Sequence, residues 1–374
     1  MQITRIETIP IRVPIKSELA IRGGRGLSHS VSPFLLVRIH TDEGLVGVGE
    51  VSCTARWSGE DQVTAAHFTN TYFAPQLVGE SVVDVERLSA KFSGEVANNY
   101  FTKSAIEMAL WDLAGKAQGK PVWQLLGERT REFVPTKWSV SGVEPAKAAE
   151  IATWAVSQGF TKMKVKVGID PPADVARVHA VRAAIGPQVK LGVDANGGWP
   201  TPRIAIETIN RLCDECDIYF AEQPVPAGDH DALAEVRRNV RVPIIADESI
   251  YTLADGRMLA RAEAADVFSI YVGKAGGIGS ARAIAEFANS VGIKCTIGSN
   301  LELGVGSAAM IHLALSAPGI DADAFPCDII GPLFYEDDVL VDPLPITAGS
   351  ARLHDRAGLG VELSEEKVEK YRVR

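Results

Sequence analysis

The chain has 374 residues, with 38 Lys or Arg against 47 Asp or Glu, so its formal net charge at pH 7 is −9. An acidic balance of this kind lacks the basic footprint of a nucleic-acid-binding protein. Hydrophobic residues make up 46% and charged residues 23% of the chain, which excludes a disordered, collagenous or coiled-coil protein. The length suits one α/β barrel with a smaller second domain.

No apolar run approaches the roughly 20 residues that a membrane-spanning helix needs, and the first residues lack the apolar core of a signal peptide. We therefore expect a cytoplasmic protein with no membrane partner. Five scattered cysteines do not form a disulfide framework. Cys213 and Cys216 make an isolated Cys-x-x-Cys, which we interpret as incidental rather than as a redox or zinc site.

Residues 1–127 have the pattern of an α+β unit. Segments 3–14 and 34–41 alternate apolar and polar residues as antiparallel strands do, residues 42–44 form a turn, and 103–118 predicts a long helix. We interpret these residues as a separate α+β unit.

Residues 128–338 alternate short Val/Ile-rich runs with Ala-rich helical segments, which is typical of repeated βα units. The predicted strands are 135–140, 162–167, 189–194, 218–222, 243–247, 267–271, 293–298 and 321–325. The predicted helices are 145–158, 173–185, 204–213, 232–238, 253–262, 279–290 and 304–315. Eight strands favour a closed parallel barrel. A doubly wound open sheet is the alternative, but no Gly-x-Gly-x-x-Gly follows the first strand. Residues 339–374 return to short strands and a helix that we expect to pack on the N-terminal unit.

Three consecutive predicted strands end in a carboxylate, namely Asp194, Glu222 and Asp247. Active sites of α/β barrels lie at the carboxyl ends of the strands, so the three acids should meet at one rim. Carboxylates forced together repel one another unless a cation compensates them, and hard oxygen ligands suit Mg²⁺. A single such acid could instead cap a helix or pair with an arginine, but three at one level favour a metal site.

The second predicted strand carries lysines at alternate positions, Lys162, Lys164 and Lys166. Alternation places them on one face of the strand, and because helices cover the outside of a barrel, that face should be the interior. An exposed edge strand is the alternative, above all for Lys162. Lys166 lies level with the carboxylates, where a second ammonium group and a divalent cation would lower its pKa and make it a usable general base.

The Lys-x-Lys strand, the three acidic strand ends and the helix 104–116 (SAIEMALWDLAGK) together resemble the enolase superfamily, in the mandelate racemase/muconate lactonizing enzyme branch. The resemblance covers nearly the whole chain. It implies a TIM-like barrel, a modified (β/α)7β fold, with an N-terminal α+β capping domain that the C-terminal segment completes. It also implies a homo-oligomer, from dimer to octamer.

The resemblance further implies that Asp194, Glu222 and Asp247 bind Mg²⁺, which takes up the carboxylate of a small-molecule substrate. Lys166 then removes the α-proton to give an enediolate, and Lys164 assists as a second cation. Asn196 and Glu248, next to the ligand positions, are expected to contact the ligands or the substrate.

One position departs from the branch. A second catalytic lysine usually ends the sixth strand, shortly before a Gly-Gly, and here that position falls on Tyr271. Lys274, three residues later, has the opposite strand parity and is expected in the loop, although it remains a candidate for the second acid or base. A tyrosine is a poor base but a good hydrogen-bond donor. This substitution therefore favours reactions that need only one base. The alternative is that Tyr271 is an aromatic residue that only fills the barrel interior.

Further substrate-contacting candidates lie in loops. Asn300 and Glu302 follow the seventh strand, where Glu302 either bonds a substrate amine or hydroxyl or caps the next helix. Loops 17–30 and 50–61 contribute Arg25 and Trp57, and the glycines of the first suggest a lid. His230 and His312 are predicted in helices or loops, where neither could serve as a strand-end base.

Three functions remain open. The first is a Mg²⁺-dependent β-elimination (dehydration) or cycloisomerisation with Lys166 as the base. The second is a racemase or epimerase of amino-acid derivatives or dipeptides. The third is a metal-dependent carboxylate binder without turnover.

Overall fold

The computed structural model describes residues 1–19, 21–23 and 28–373. Its N-terminal unit combines an antiparallel sheet with helices. The strands are β1 (Ile3–Pro14), β2 (Ile21–Arg22), β3 (Ser28–His29), β4 (Val31–Thr41) and β5 (Val46–Ser52). The helices are α1 (Ala55–Ser58), α2 (Gln62–Phe68), α3 (Ala74–Leu77), α4 (Val85–Ser93), α5 (Tyr100–Gln118) and α6 (Val122–Leu126), with a π-helical turn at Thr69–Phe73.

A three-stranded meander in the order β1-β4-β5 forms the core of this unit. The turn between β4 and β5 contains Gly44 at φ 79°, a left-handed conformation that glycine adopts without strain. Helix α5 packs on the sheet so closely that a Cβ at Gly49 would overlap the backbone of Ala105. The sheet and α5 therefore form one rigid cap.

Seven parallel strands and the helices between them make up the second unit. The strands are β6 (Trp138–Val140), β7 (Lys162–Lys166), β8 (Lys190–Asp194), β9 (Ile218–Glu222), β10 (Ile244–Ala246), β11 (Val267–Ile270) and β12 (Lys294–Ile297). The helices are α7 (Pro145–Ser157), α8 (Pro171–Ile185), α9 (Pro202–Cys216), α10 (His230–Asn239), α11 (Leu253–Arg261), α12 (Val272–Ala275), α13 (Ile278–Ser290), α14 (Gly304–Ser316) and α15 (Gly331–Phe334). The strands neighbour one another in chain order, which confirms the predicted barrel architecture.

The predicted eighth strand at 321–325 is wrong, because these residues form a turn. The Asp321 carboxylate accepts a hydrogen bond from the Ala324 N–H, which stabilises the turn, and Pro326 has no N–H to offer a ladder. The edges of the sheet are instead joined by single parallel bridges, from Cys295 to Ile320 and from Thr136 to Cys327.

The C-terminal segment returns to the N-terminal unit. It contains β13 (Ile346–Thr347), β14 (Ser350–Ala351) and α16 (Glu365–Tyr371). Arg372 bridges to Ile11 of β1, and the Leu359 N–H donates to the Asp112 carboxylate of α5. The segment thus completes the cap, as expected. Among the described residues, no helix is both long and apolar enough to cross a membrane.

Candidate active site

The three acidic strand ends lie side by side. Asp194 is the register partner of Glu222, and Glu222 is the register partner of Ile245, two residues before Asp247. Each of these acids is at most 1% exposed. Burial, together with the neighbouring carboxylates of Asp194 and Asp247, raises the pKa of Glu222 to about 8. The strand register therefore builds the carboxylate row that the sequence predicts.

Lys164 projects from β7 into this row. Its Nζ donates to both Glu222 oxygens at 2.9 and 3.0 Å and lies 3.0 Å from Asp194 Oδ2 and 2.9 Å from Asp328 Oδ2. Burial alone would lower the pKa of Lys164, but Asp194, Asp328 and Glu222 outweigh it and raise the pKa well above its usual value. Lys164 is therefore a fixed cation.

Lys166 lies at the end of the same strand and reaches the cavity above it. Its Nζ is 2.6 Å from Asp194 Oδ2 and 3.2 Å from Asn196 Oδ1. The Lys166 side chain is 20% exposed, against 4% for Lys164. Lys166 is consequently the more accessible of the two ammonium groups.

Tyr271 lies on the far side of the carboxylate row, directly after β11. Its hydroxyl donates to Asp247 Oδ2 at 2.7 Å, and its ring stacks on Trp57 of the cap with centroids 5.4 Å apart and planes 11° apart. Burial, with Asp247, Glu222 and Glu248 nearby, raises the pKa of Tyr271 well above its usual value. Tyr271 is therefore a neutral hydrogen-bond donor.

Lys274 corrects an expectation, because it lies on helix α12 rather than in a loop, and its side chain turns back into the barrel. Its Nζ is 4.1 Å from the centroid of the Tyr271 ring. It donates to the carbonyl oxygen of Asp247 at 2.7 Å and also to the Asp247 carboxylate. The prediction from strand alternation does not apply to Lys274, because helix α12 changes the backbone direction immediately after Tyr271.

A cavity of about 160 Å³ opens above these residues. Barrel and cap both line it. The barrel contributes Ser139, Ser141, Lys164, Lys166, Asn196, Glu248, Tyr271, Ser299, Asn300, Leu301, Asp328, Ile330 and Phe334; the cap contributes Arg22, Gly23, His29, Thr54, Arg56 and Trp57. Its volume suits a small-molecule ligand.

Four of the predicted substrate contacts, Asn196, Glu248, Asn300 and Trp57, line this cavity. Glu248 Oε1 accepts from Asn196 Nδ2 at 3.0 Å and from Trp57 Nε1 at 3.4 Å, so one carboxylate connects barrel and cap. Burial and the nearby Asp247 and Asp194 carboxylates raise the pKa of Glu248 to about 7.

Of the described substrate-contacting candidates, Glu302 and Lys274 do not line it. The Glu302 carboxylate turns back on its own loop and accepts from Ser299 Oγ and from the Asn300 N–H. Glu302 does not cap α14 either, because the Glu50 carboxylate from β5 accepts from the N–H groups of Leu303 and Gly306. Arg25 lies outside the described residues.

Sequence reasoning missed Asp328 and Lys137. Asp328 Oδ2 is 2.9 Å from Lys164 Nζ, and Asp328 Oδ1 is 3.2 Å from Lys137 Nζ. Asp328 follows the bridge residue Cys327, so it occupies the strand-end position that the misplaced eighth strand concealed. Lys137, 1% exposed, precedes β6. The sequence offered one signal for Asp328, namely an acidic residue directly after the last apolar segment of the barrel.

The carboxylate row suits a divalent cation. Its donors are all oxygens, and burial together with the neighbouring Asp194 and Asp247 carboxylates raises the pKa of Glu222, a penalty that a bound cation would relieve. In their present conformation, no group of three or more His, Cys, Asp or Glu side chains among the described residues is arranged to hold a metal ion. The ammonium groups of Lys164 and Lys274 lie on the carboxylate oxygens instead.

Fold and site define a class: α/β barrels under an α+β cap, with carboxylates and lysines at the carboxyl ends of consecutive strands. Two family models match the chain. Residues 7–127 match the mandelate racemase/muconate lactonizing enzyme N-terminal domain, and residues 146–367 match the enolase C-terminal domain-like family. The chain belongs to the mandelate racemase/muconate lactonizing enzyme branch of the enolase superfamily, which confirms the resemblance.

Its relatives catalyse different reactions. N-succinyl-L-Arg/Lys racemase of Bacillus cereus is 32% identical in sequence, over 100% of this chain and 98% of that protein. The crystal structure of N-succinyl Arg/Lys racemase from the same organism superposes on this chain with a TM-score of 0.94 at 31% identity, and the match covers 100% of this chain and 99% of that one. Muconate cycloisomerase 1 of Rhodococcus opacus is 32% identical over 99% and 98% of the two chains. A dipeptide epimerase from Cytophaga hutchinsonii, crystallised with Mg and D-Ala-L-Val, gives a TM-score of 0.92 at 32% identity, covering 99% and 98%.

Proposed function

We propose that this protein abstracts the α-proton of a small carboxylate substrate, with Lys166 as its single base. The supporting observation is the order of groups along the barrel rim. Lys166 on β7 and Tyr271 after β11 flank the strand ends that carry Asp194, Glu222 and Asp247. A substrate held at these acids would have an amine on one side and a neutral phenol on the other.

Asp194, Glu222 and Asp247 are the residues that would hold Mg²⁺. When bound there, the cation supplies positive charge that stabilises the substrate carboxylate as negative charge develops on it. Lys164 adds a second, permanent cation at the same place, because its ammonium group is buried among carboxylates and stays protonated.

Lys166 takes the α-proton. Its accessible ammonium group and its contact with Asn196 orient it toward the cavity. It must be in its neutral form when it takes that proton. A general base of this kind contributes roughly 10²- to 10⁴-fold to the rate.

A single base suits β-elimination or cycloisomerisation. In an elimination, the α-hydrogen leaves to Lys166, a double bond forms between the α and β carbons, and a β-hydroxyl leaves as water after protonation. Tyr271 is placed either to orient the substrate or to donate that proton. In a cycloisomerisation, ring opening transfers the α-proton to Lys166 as the ring bond at the β-carbon breaks. Ring closure forms that bond and returns the proton from Lys166 to the α-carbon.

Racemisation or epimerisation of amino-acid derivatives is the second candidate. Two observations favour it: relatives of this chain are named racemase and epimerase, and Lys274 lies beside Tyr271. Such a reaction needs an acid or base on each face of the α-carbon. Lys274 is 1% exposed and does not line the cavity, whereas the Lys166 side chain is 20% exposed and does, which argues against Lys274 in this role.

The test is a mass-spectrometric screen of a mixed carboxylate library in D₂O with Mg²⁺. It compares the wild type with Lys166→Ala and with Lys162→Ala. Lys162 is the matched control, because it lies on the same strand but donates to the Asp323 carbonyl, outside the cavity. We expect loss of water or isomerisation in the wild type and in Lys162→Ala, with at least about a 10²-fold loss in Lys166→Ala.

Each outcome separates the candidates. Full turnover by Lys166→Ala would rule out Lys166 as the base. Inversion of the α-carbon with deuterium gain would support the racemase. Carboxylate binding without turnover across a broad library would leave the non-catalytic binder as the function.

A further inference from the structure

Lys164 obstructs the site at which the proposed function places a cation. Its ammonium group contacts both oxygens of Glu222 and one oxygen of Asp194. Each contact occupies one lone pair of an oxygen that the row would offer to a cation and places an ammonium charge beside it. A divalent cation bound by Glu222 would repel this ammonium group, so we expect Lys164 to loosen its contact with Glu222 when the cation binds.

A second acceptor for Lys164 is already in place on the opposite side. Asp328 Oδ2 lies 2.9 Å from Lys164 Nζ, the same distance as the nearer Glu222 oxygen. Asp328 comes from the segment that closes the barrel, whereas Glu222 comes from β9. The ammonium group thus lies between two carboxylates that different elements supply.

Lys137 forms an ion pair with this acceptor, without hydrogen-bond geometry at Asp328 Oδ1. Its Nζ lies 3.2 Å from Asp328 Oδ1, and it also donates to the Pro326 carbonyl. Lys137 is 1% exposed, so its charge has no access to water and depends on Asp328 and that carbonyl. A buried lysine held in this way keeps the Asp328 carboxylate oriented, with its other oxygen toward Lys164.

We propose that the Lys137–Asp328 pair is a positioning device that takes over Lys164 when Glu222 binds a divalent cation. An ammonium group that lost Glu222 without a substitute would be a buried unpaired charge, which is strongly unfavourable. Asp328 supplies the substitute. The inference rests on the proposed function, because it assumes that Glu222 is a metal ligand.

The test measures Mg²⁺ affinity by isothermal titration calorimetry, without substrate. We expect Asp328→Asn to weaken Mg²⁺ binding by about 10- to 100-fold, as losses of groups that orient metal ligands commonly do. Asp112→Asn is the matched control, since Asp112 is a fully buried acid paired with Lys116 in the cap and distant from the site. It should leave the affinity within about twofold of wild type.

Lys137→Met separates positioning from simple charge attraction. Removal of a buried positive charge should strengthen cation binding if only long-range electrostatics acts. The positioning role predicts the opposite, a weaker Mg²⁺ affinity, because Asp328 is then free to turn away from Lys164. Circular dichroism before titration verifies that each variant is folded. Because Asp328→Asn also removes a negative charge, Lys137→Met, or Lys137→Gln if that variant does not fold, decides between the two explanations.

Failure of this inference differs from failure of the proposed function. Absent Mg²⁺ binding in the wild type, or binding that Glu222→Gln leaves unchanged, would contradict the proposed metal site. The positioning role alone would be overturned if the wild type binds Mg²⁺ and Lys137→Met binds it equally tightly or more tightly. An Mg²⁺ affinity of Asp328→Asn equal to that of the wild type would overturn it as well.

Discussion

Tyr271 is the residue on which the chemistry of the site depends most. Its ring fits because Gly298, at the end of the neighbouring strand, has no side chain, and a Cβ there would overlap the ring. Trp57 covers the other face of the ring. The phenol therefore stays beside Asp247 as a donor, and among the described residues it is this phenol, not an amine, that lines the side of the cavity opposite Lys166.

Replacement of Tyr271 tests this asymmetry. We expect Tyr271→Lys to add inversion of the α-carbon, which a single base cannot perform, since an amine then faces each side of the carboxylate row. Chiral chromatography follows the two configurations of the substrate, and Tyr271→Phe is the control, because it removes the hydroxyl without adding a base. The gain over Tyr271→Phe should reach about 10²-fold, and its absence would mean that the second face lacks more than a base.

Two barrel helices are held at their N-termini by carboxylates from the cap. Glu107 of α5 accepts from the N–H groups of Ile278 and Gly279 at the start of α13. Glu50 of β5 accepts from Leu303 and Gly306 at the start of α14. These contacts satisfy N–H groups that a helix cannot pair internally. Burial raises the pKa of Glu107 to about 7 and that of Glu50 to about 8, so the capping rests on hydrogen bonds more than on a full negative charge. They tie the cap to the barrel next to Lys274 and Asn300.

Loss of one such carboxylate should destabilise the fold. We expect Glu107→Ala to lower the free energy of unfolding by about 2 kcal/mol, since two buried N–H groups lose their acceptor. Glu107→Gln, which keeps an acceptor oxygen, should cost less. Urea unfolding measures both, with the exposed Glu235→Ala on α10 as a surface control; equal effects of Glu107→Ala and Glu235→Ala would contradict the capping role.

The whole molecule depends on buried polar contacts between its two units. His312 of barrel helix α14 accepts at Nδ1 from the Trp123 N–H of α6, at 3.1 Å. Burial lowers the pKa of His312 from 6.5 to about 4. The folded protein therefore keeps this histidine neutral at a pH at which the unfolded chain protonates it.

The sign of the pH effect follows from that shift. Between pH 6.5 and about 4 the unfolded chain binds a proton at His312 that the folded protein does not, so stability falls as the pH falls across this window. A shift of this size corresponds to at most about 3 kcal/mol. We expect His312→Gln, which keeps an acceptor and cannot titrate, to flatten the pH dependence of the unfolding midpoint. An unchanged slope would show that other groups dominate.

Much of the barrel could be predicted from local pattern alone. The alternation of apolar residues located seven strands to within a few residues, and the acids at 194, 222 and 247 fall at strand ends because each βα unit has a nearly constant length. Period-two alternation likewise separated the lysines of β7 from its outward-facing Met163 and Val165. These features depend on neighbours in sequence, so the sequence by itself determined them.

Only the tertiary structure decided which charges meet. Lys137, Asp328 and Lys274 come from a segment before β6, from the barrel closure and from a short helix, and none of these follows strand parity. Long side chains cross the barrel and choose partners by burial, because a charge removed from water must find a counter-ion wherever the fold places one. The pairing of Lys164 with Asp328 is such a choice, and no spacing in the sequence encodes it.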